Sequence, residues 1–158
     1  MKIVIASDSH GRTDYLKEIE KKEKADYYLH CGDSCDVSEA IYPFVSVKGN
    51  CDFHIMNRDL SLKIGKYQFF MTHGHLYYGL SLLYKAKEMN ADIVLTGHTH
   101  RRDVEIIDDI LFINPGSVAR PRDGLDKSYV VFEFDENIKI DKEELKKAVK
   151  FKDLKEKY

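Results

Sequence analysis

The sequence lacks both a long apolar segment and an excess of charge of either sign. Its longest apolar runs, such as residues 3–6 and 110–113, are far shorter than the roughly 18 residues that a membrane span needs. The 25 Lys and Arg residues nearly balance the 27 Asp and Glu residues, whereas bulk binding of DNA or RNA depends on a basic excess. The first strand pattern turns polar at Ser7 and Asp8, too soon for a signal peptide. We therefore expect a cytoplasmic chain that binds neither a membrane nor bulk nucleic acid.

Cysteine is also scarce. The three cysteines, Cys31, Cys35 and Cys51, form neither an even set nor a spacing typical of disulfide-rich domains. We therefore expect free thiols, a reducing compartment and no disulfide. A zinc–thiolate site built from these cysteines remains an alternative, although the chain has no Cys-x-x-Cys pair to favour it.

The pattern of the first hundred residues predicts an α/β fold. The length of 158 residues suits one domain, and 43% hydrophobic against 33% charged residues is typical of a globular chain. Short β-branched or aromatic runs alternate with polar segments of helical spacing. The predicted strands are residues 2–7, 26–30, 44–48, 67–72 and 92–96, and the predicted helices are residues 13–24 and 78–90, with a short turn at 38–42.

Hairpin patterns distinguish the sequence from a purely parallel α/β protein. The pattern of residues 104–113 predicts two strands around a tight turn. Residues 60–64 and the strand that begins at residue 67 predict another hairpin, with its turn at residues 65–66. Apolar and polar residues alternate again over residues 128–134, as in a strand. These patterns favour two sheets with helices outside them. The Lys- and Glu-rich segment 141–158 predicts a charged C-terminal helix or tail of the same single domain, residues 1–158.

Acidic, amide and imidazole side chains follow five of the predicted strands. The carboxyl ends of strands in α/β sheets are where sites form, so these side chains are expected to converge. Such ligands suit divalent ions of borderline hardness, such as Mn²⁺, Fe²⁺ or Zn²⁺. The set is too large for one ion, and a carboxylate such as Asp33 can bridge two ions about 4 Å apart. The expected metal ligands are Asp8, His10, Asp33, Asn50, His73, His98 and His100.

The expected ligands stand in five short motifs, which in chain order are Asp8-x-His10, Gly32-Asp33, Gly49-Asn50-Cys51-Asp52, His73-Gly74-His75 and Gly97-His98-Thr99-His100. The order of these motifs resembles the calcineurin-like metallophosphoesterase superfamily over about residues 1–135. The small size and the segment 114–117, Asn-Pro-Gly-Ser, look most like its compact YfcE-type phosphodiesterase branch. The resemblance implies a four-layer α/β/β/α sandwich of two mixed β-sheets flanked by helices. It also implies two sets of metal ligands, which are Asp8, His10, Asp33 and His100 for one ion, and Asp33, Asn50, His73 and His98 for the other.

The expected activity is that of a metal-dependent phosphodiesterase. In this reading a hydroxide that bridges two metal ions attacks phosphorus in line, and the metals take up the developing charge. Mn²⁺ is the expected ion, with Ni²⁺, Fe²⁺ and Zn²⁺ as alternatives. The expected partner is a small-molecule phosphate ester, and a homodimer or higher homo-oligomer is an expectation at the level of the family.

One departure concerns the residue that would protonate the leaving oxygen. Many members of the family carry His directly after the motif Asn, where this chain has Cys51. A thiol is a weaker acid than an imidazolium ring, so we expect Cys51 to contribute little proton transfer. Because the small branch commonly carries this Cys, the resemblance implies a preference for phosphodiesters, or for esters with good leaving groups, over unactivated monoesters. His75 or His54 could supply the proton instead. The candidate catalytic residues are Asp33, Asn50, Cys51 and His75, and Arg120 and Arg122 are candidates for contact with a substrate phosphate.

Two other classes of function stay open. The first is a metal-binding scaffold or protein-interaction module with little catalysis, since the retromer subunit shares this fold. Lost ligand positions would indicate that case, and the seven expected ligands are all present. The second is a metallo-β-lactamase-like or amidohydrolase-like enzyme, which would need an early His-x-His in place of Asp8-x-His10.

Overall fold

The computed structural model describes residues 1–154, which form two five-stranded sheets and four helices. The elements in chain order are β1 (Lys2–Ala6), α1 (Thr13–Lys22), β2 (Tyr27–His30), α2 (Ser38–Ile41), β3 (Val45–Ser46), β4 (Asp59–Ile64), β5 (Tyr67–Thr72), α3 (Ser81–Glu88), β6 (Ile93–Leu95), β7 (Arg102–Ile107), β8 (Ile110–Pro115), β9 (Ser128–Glu133), α4 (Lys142–Lys147) and β10 (Val149–Asp153).

Both sheets are mixed, as the sequence predicted. The first has the strand order β10-β9-β1-β2-β3, and β1, β2 and β3 are parallel. The second has the order β4-β5-β6-β8-β7, and β5, β6 and β8 are parallel. Antiparallel strands complete each sheet, including the β4–β5 and β7–β8 hairpins. Because parallel strands end at the same edge, each sheet presents several carboxyl-terminal loops together.

Strand alternation buries both faces of each sheet. In β1, Ile3 and Ile5 pack in the core between the two sheets, whereas Val4 and Ala6 pack under α1. In β5, Phe69 faces the central core, and Phe70 packs against Ala86 of α3. Helices therefore cover the outer faces of two stacked sheets, which confirms the expected α/β/β/α order of layers.

The helices are shorter than the sequence predicted. Helix α1 ends at Lys22 and not at residue 24, and α3 spans 81–88 within the predicted 78–90. The three residues before α3 form turns, and Asn90 after it has a φ of 53°, a left-handed conformation that ends a helix. The helical pattern of the sequence extends beyond both helix ends, whereas packing on the sheet determines where the chain turns.

The C-terminal segment differs from the prediction of a charged helix or tail over 141–158. Among its described residues, 141–154, only residues 142–147 are helical, and residues 149–153 form β10 at the edge of the first sheet. The strand forms because Val149 and Phe151 alternate with lysines and pack against the central core. Pairing with β9 therefore prevails over the helical preference of the lysine-rich sequence. The rest of the predicted segment, residues 155–158, lies outside the described residues.

Within residues 1–154, no helix has the length and apolar character that crossing a bilayer would require.

Candidate metal centre

Loops from both sheets bring the predicted ligands to one edge of the sandwich. Asp8 and His10 follow β1, Asp33 follows β2, and Asn50 follows β3. From the second sheet, His73 follows β5 directly, and His98 and His100 follow β6. Backbone hydrogen bonds join these loops, including 3.0 Å from the Asp8 N–H to the Gly32 carbonyl and 3.1 Å from the Gly97 N–H to the His73 carbonyl. The structure thus places the seven side chains together.

Three of the side chains form a first cluster. One ligand atom from each of Asp8, His10 and His100 lies within 4.8 Å of the others. The Nε2 atom of His100 lies 3.3 Å from Asp8 Oδ1 and 3.3 Å from His10 Nε2. The Nε2 atoms of His10 and His100 therefore point at the same small space as the Asp8 carboxylate.

A second cluster lies beside the first and consists of Asp33, His73 and His98, with ligand atoms again within 4.8 Å of one another. The Nε2 atom of His73 lies 3.2 Å from Asp33 Oδ2 and 3.1 Å from Asn50 Oδ1. The same Asp33 oxygen is 4.0 Å from His10 Nε2, which belongs to the first cluster. Asp33 is therefore positioned between the two clusters.

Hydrogen bonds to the main chain fix the orientation of two imidazole rings. His73 Nδ1 donates to the Cys31 carbonyl at 2.8 Å, and His100 Nδ1 donates to the Arg120 carbonyl at 2.6 Å. A neutral ring with its proton on Nδ1 directs the lone pair of Nε2 toward the clusters. Such partners hold histidine ligands in position in protein metal sites.

The residues present fit divalent cations. Asp8 Oδ1 is buried, faces three imidazole nitrogens and has no hydrogen-bond partner among the described residues. An unpaired buried carboxylate oxygen is costly unless a cation satisfies it. The loops are also packed so tightly that a Cβ on Gly32 would lie 2.6 Å from His73 Nδ1, and one on Gly49 would overlap Asp33. Carboxylate, imidazole and amide donors together suit a borderline divalent ion.

The electrostatics of the clusters favour positive charge between the carboxylates. Burial alone would raise the pKa of Asp33, but contacts with His73 and with the Cys51 N–H lower it to about 2. Burial also opposes ionisation of Asp8, yet His100 and His73 bring its pKa below the usual value. The contact with Asp8 raises the pKa of His100, and contacts with Asp33 and Asp8 raise that of His73 despite its burial. Bound cations would supply positive charge between the same carboxylates.

Five of the seven predicted ligands have a left-handed backbone conformation, with φ between 43° and 71°. Residues other than glycine adopt this region at a cost of about 1–3 kcal/mol each, and such residues cluster at functional sites. The conformation turns each loop sharply after its strand and aims the side chain at the edge. These five are Asp8, His10, Asp33, His98 and His100.

Sequence reasoning did not single out Asp52, which organises two of the loops. Its buried carboxylate accepts 2.8 Å hydrogen bonds from the N–H groups of Asp33, Cys35 and Gly49. It therefore ties the loop of Asp33 to the loop of Asn50. The Gly49-Asn50-Cys51-Asp52 motif was the available signal, but its last residue was not distinguished from an ordinary turn residue.

Ser7 and Ser117 are two further residues that the sequence did not indicate. Ser7 Oγ donates to Asp8 Oδ2 at 2.6 Å, and Ser117 Oγ donates to the Asp8 carbonyl at 2.8 Å. The first bond leaves Oδ1 of Asp8 as the oxygen that faces the imidazoles. Ser117 stands in the Asn-Pro-Gly-Ser segment, so that motif holds Asp8 in place.

The expectation of free thiols is wrong for two cysteines, because Cys35 and Cys51 form a disulfide. Cys31 is a free, buried thiol, so the three cysteines do not form the alternative zinc site. The pairing arises because β2 and β3 are parallel neighbours, which brings the loops after them into contact. The spacing of the two cysteines in the sequence does not predict that contact. The Cys51 sulfur therefore has no proton to donate in this structure, contrary to its expected catalytic role.

The other predicted residues lie around the clusters. His75 is half-buried, and its ring lies 5.3 Å from that of His73 and 6.1 Å from that of His98. The main chain of Arg120 and Arg122 contacts His100, while both arginine side chains are exposed. His54 lines a separate cavity of about 390 Å³ beside α2 and β3.

Comparison with known proteins identifies the family. The model of the calcineurin-like phosphoesterase superfamily domain matches residues 1–137. The chain therefore belongs to this superfamily, whose members use divalent metal ions.

Relatives place the chain in the YfcE-type branch. It is 40% identical to the probable metallophosphoesterase YsnB of Bacillus subtilis, over 83% of each chain. It is 28% identical to the phosphodiesterase YfcE of Escherichia coli, over 85% of this chain and 89% of YfcE.

Solved structures share the fold. A predicted phosphoesterase from Streptococcus pneumoniae superimposes with a TM-score of 0.79 at 34% identity, over 85% of this chain and 83% of the other. Vps29 of Entamoeba histolytica, solved with zinc, superimposes with a TM-score of 0.69 at 23% identity, over 86% of this chain and 87% of Vps29. At that identity the likeness shows the fold alone.

Proposed function

We propose that the protein is a phosphodiesterase whose reaction depends on a dinuclear metal centre. The observation that carries the proposal is the pair of adjacent ligand clusters with Asp33 between them. One ion would be held by Asp8, His10, Asp33 and His100. The other would be held by Asp33, Asn50, His73 and His98. Mn²⁺ is the proposed ion, and Ni²⁺, Fe²⁺ and Zn²⁺ have compatible ligand preferences.

When bound, two divalent ions supply Lewis acidity that activates water and takes up charge on a phosphoryl oxygen. The protein's own residues orient the ligands before substrate arrives. Ser7 and Ser117 hold Asp8, and Asp52 holds the loops of Asp33 and Asn50.

His75 is the proposed proton donor to the leaving oxygen, since the Cys51 sulfur is bonded to Cys35. Burial and the neighbouring His73 and His98 lower the pKa of His75. A bound phosphate would oppose this shift, because its negative charge favours the protonated ring.

The proposed substrates are small-molecule phosphodiesters. Arg120 and Arg122 stand near the first cluster, because the main chain of both residues contacts His100, and their positive charge could attract a phosphate. A diester carries one negative charge, which suits a site where these arginines are exposed and not organised into a closed anion pocket.

The test compares an aryl phosphodiester with the matching aryl phosphomonoester. Metal-stripped protein is assayed before and after Mn²⁺ is restored. We expect hydrolysis only with metal and faster cleavage of the diester. Faster cleavage of the monoester would contradict the diester preference. Silence with every divalent ion, despite tight binding of two ions, would overturn the proposed activity and favour a scaffold, which is the alternative use of this fold.

A further inference from the structure

We propose that Cys35 and Cys51 form a reversible thiol–disulfide site, whose oxidised form clamps the two loops of the metal centre and tightens metal binding. The inference rests on the proposed metal centre but not on its catalytic activity. It concerns a covalent modification of this chain's own residues beside the candidate ligands.

The position of the two cysteines carries the inference. Cys35 lies two residues after Asp33, the proposed bridging ligand, and Cys51 directly follows Asn50. The disulfide therefore joins the loop that carries the shared carboxylate to the loop that carries the amide ligand. Opening it would remove a covalent link between two ligands of the same ion.

Hydrogen bonds couple both cysteines to the site. The Cys51 N–H donates to Asp33 Oδ1 at 2.9 Å, and the Cys35 N–H donates to Asp52 Oδ1 at 2.8 Å. Asp52 also accepts the Gly49 N–H, one residue before Asn50. A change in the position of Cys51 thus reaches Asp33 through one hydrogen bond. A change in the position of Cys35 reaches Asp33 through Asp52, which also accepts the Asp33 N–H.

The sulfurs also contact the outer side of a ligand ring. His10 Nδ1 lies 3.5 Å from Cys35 Sγ and 4.0 Å from Cys51 Sγ, while its Nε2 faces Asp8 and His100. The disulfide therefore supports the imidazole from the side opposite the clusters. Separation of the sulfurs would withdraw part of this support.

Accessibility separates this pair from the third cysteine. Cys35 is exposed and Cys51 is half-buried, so a small thiol or disulfide can reach the bond. Cys31 is fully buried in the core between the sheets, where burial raises the pKa of its thiol. Thiolate exchange at Cys31 is correspondingly disfavoured.

The proposed step exchanges the pair with a low-molecular-weight disulfide such as oxidised glutathione. The Cys35 thiol loses its proton, and its sulfur attacks one sulfur of the small disulfide, which releases one small thiolate and leaves a mixed disulfide. Cys51, likewise deprotonated, attacks the Cys35 sulfur and releases the second small thiolate. The two protons go to the released thiolates, so two protein thiols are oxidised and one small disulfide is reduced to two thiols.

The direction of the effect follows from the contacts. The oxidised loops hold Asp33, Asn50 and His10 near one another before a metal arrives. Reduction gives these loops more freedom, which metal binding must then restrict. Loss of such supporting interactions typically weakens metal affinity by about 10-fold to 100-fold, and we expect about 10-fold here.

The experiment measures metal affinity in the two redox states. Protein is equilibrated anaerobically with ratios of reduced to oxidised glutathione, freed of small thiols, and titrated with Mn²⁺ by calorimetry. Alkylation followed by mass spectrometry counts the accessible thiols in each sample. We expect weaker Mn²⁺ binding in step with the appearance of two thiols. Equal affinity in both states, or no interconversion, would overturn the proposal.

Two variants serve as controls. Cys35→Ser should bind Mn²⁺ with the weaker affinity in every glutathione buffer, since it cannot close the disulfide. Cys31→Ala should keep the full redox response, because Cys31 is outside the pair. A redox response that survives in Cys35→Ser would contradict the role of this pair.

The readout also separates this inference from the proposed function. A redox-dependent affinity in a protein that hydrolyses no phosphate ester would support the clamp and contradict the phosphodiesterase. Absence of Mn²⁺ binding in both states would overturn both.

Discussion

The histidine side chains differ in what their ring nitrogens contact, and this decides their roles. His73 and His100 donate from Nδ1 to main-chain carbonyls and direct Nε2 at the clusters. His75 stands beside the second cluster, and its Nδ1 is buried without a partner in the described part of the chain. His30 lies below the site and is fully buried. The first pair suits metal ligation, whereas the other two suit proton transfer and packing.

The role of His75 predicts a dependence on the leaving group. His75→Ala should slow hydrolysis of diesters with poor, alkyl leaving groups by about 100-fold, because these need a proton in the transition state. A nitrophenyl leaving group departs without that help, so its rate should change little. The measurement is kcat for a series of leaving groups with the Mn²⁺-loaded protein. A uniform loss across the series would show that His75 is not the proton donor.

The environment of His30 predicts a specific pH dependence of stability. The Gly32 N–H donates to its Nδ1 at 3.1 Å, so Nε2 carries the proton and faces Ser9 Oγ at 3.0 Å. Burial lowers the pKa of His30 to about 4. Between this value and about 6.5 the unfolded chain binds a proton that the folded protein does not. The free energy of unfolding should therefore fall by about 3 kcal/mol as the pH drops through this range.

Urea unfolding of the metal-free protein across the same pH range provides the check. The variant His30→Gln keeps a hydrogen-bonding side chain that does not titrate, so it should lose about 3 kcal/mol less than the wild type. Parallel losses in the two proteins would show that His30 does not control this part of the pH dependence.

Among the secondary-structure elements, short strands followed by sharp loops form the candidate metal centre. Strand β3 has only two residues and β6 only three, yet each directs a ligand-bearing loop to the shared edge. Asp52 stabilises two of these loops by accepting main-chain N–H groups that no strand satisfies. The geometry of the site thus depends on a carboxylate that is not among the proposed ligands.

Replacement of Asp52 tests whether the geometry of the site depends on its carboxylate. Asp52→Asn keeps the size but loses one acceptor oxygen, so Asp33 and Asn50 should be held less firmly. We expect Mn²⁺ affinity, measured by calorimetry, to fall by about 10-fold to 100-fold. Asp108→Asn, in the β7–β8 turn, is the matched control and should bind Mn²⁺ as the wild type does. Unchanged affinity in Asp52→Asn would contradict the supporting role.

Elements with a strong local pattern were predictable, and those that depend on distant partners were not. Strand β5 has the predicted bounds 67–72, since apolar residues fill its core positions. Strand β10 was not predicted, because its lysines indicate a helix or tail unless Val149 and Phe151 meet the core. Local sequence does not contain that contact.

For the whole molecule, two sheets that end at the same edge explain why one short chain holds so many ligands. Each sheet supplies part of the set, since Asp8, His10, Asp33 and Asn50 come from the first sheet and the remaining histidines from the second. The central apolar core fixes the two edges relative to each other. The positions of all seven side chains were predictable, because they follow strand ends in a motif order that resembles a known family.

The disulfide and the role of Asp52 were not predictable from sequence. Both depend on the contact between the loops after β2 and β3, which are separated by more than a dozen residues and a helix. The pairing of parallel strands creates that proximity only in the folded chain. A general rule about cysteine number and compartment therefore gave the wrong expectation at this position.

The most direct test of the central claim is a titration of metal-stripped protein with Mn²⁺, followed by electron paramagnetic resonance. The proposed centre predicts two ions per chain whose spectrum shows magnetic coupling, because Asp33 would bridge them. In Asp33→Asn the coupling should disappear, metal content should fall, and diester hydrolysis should be abolished. A single ion per chain, or two ions without coupling in the wild type, would contradict the account.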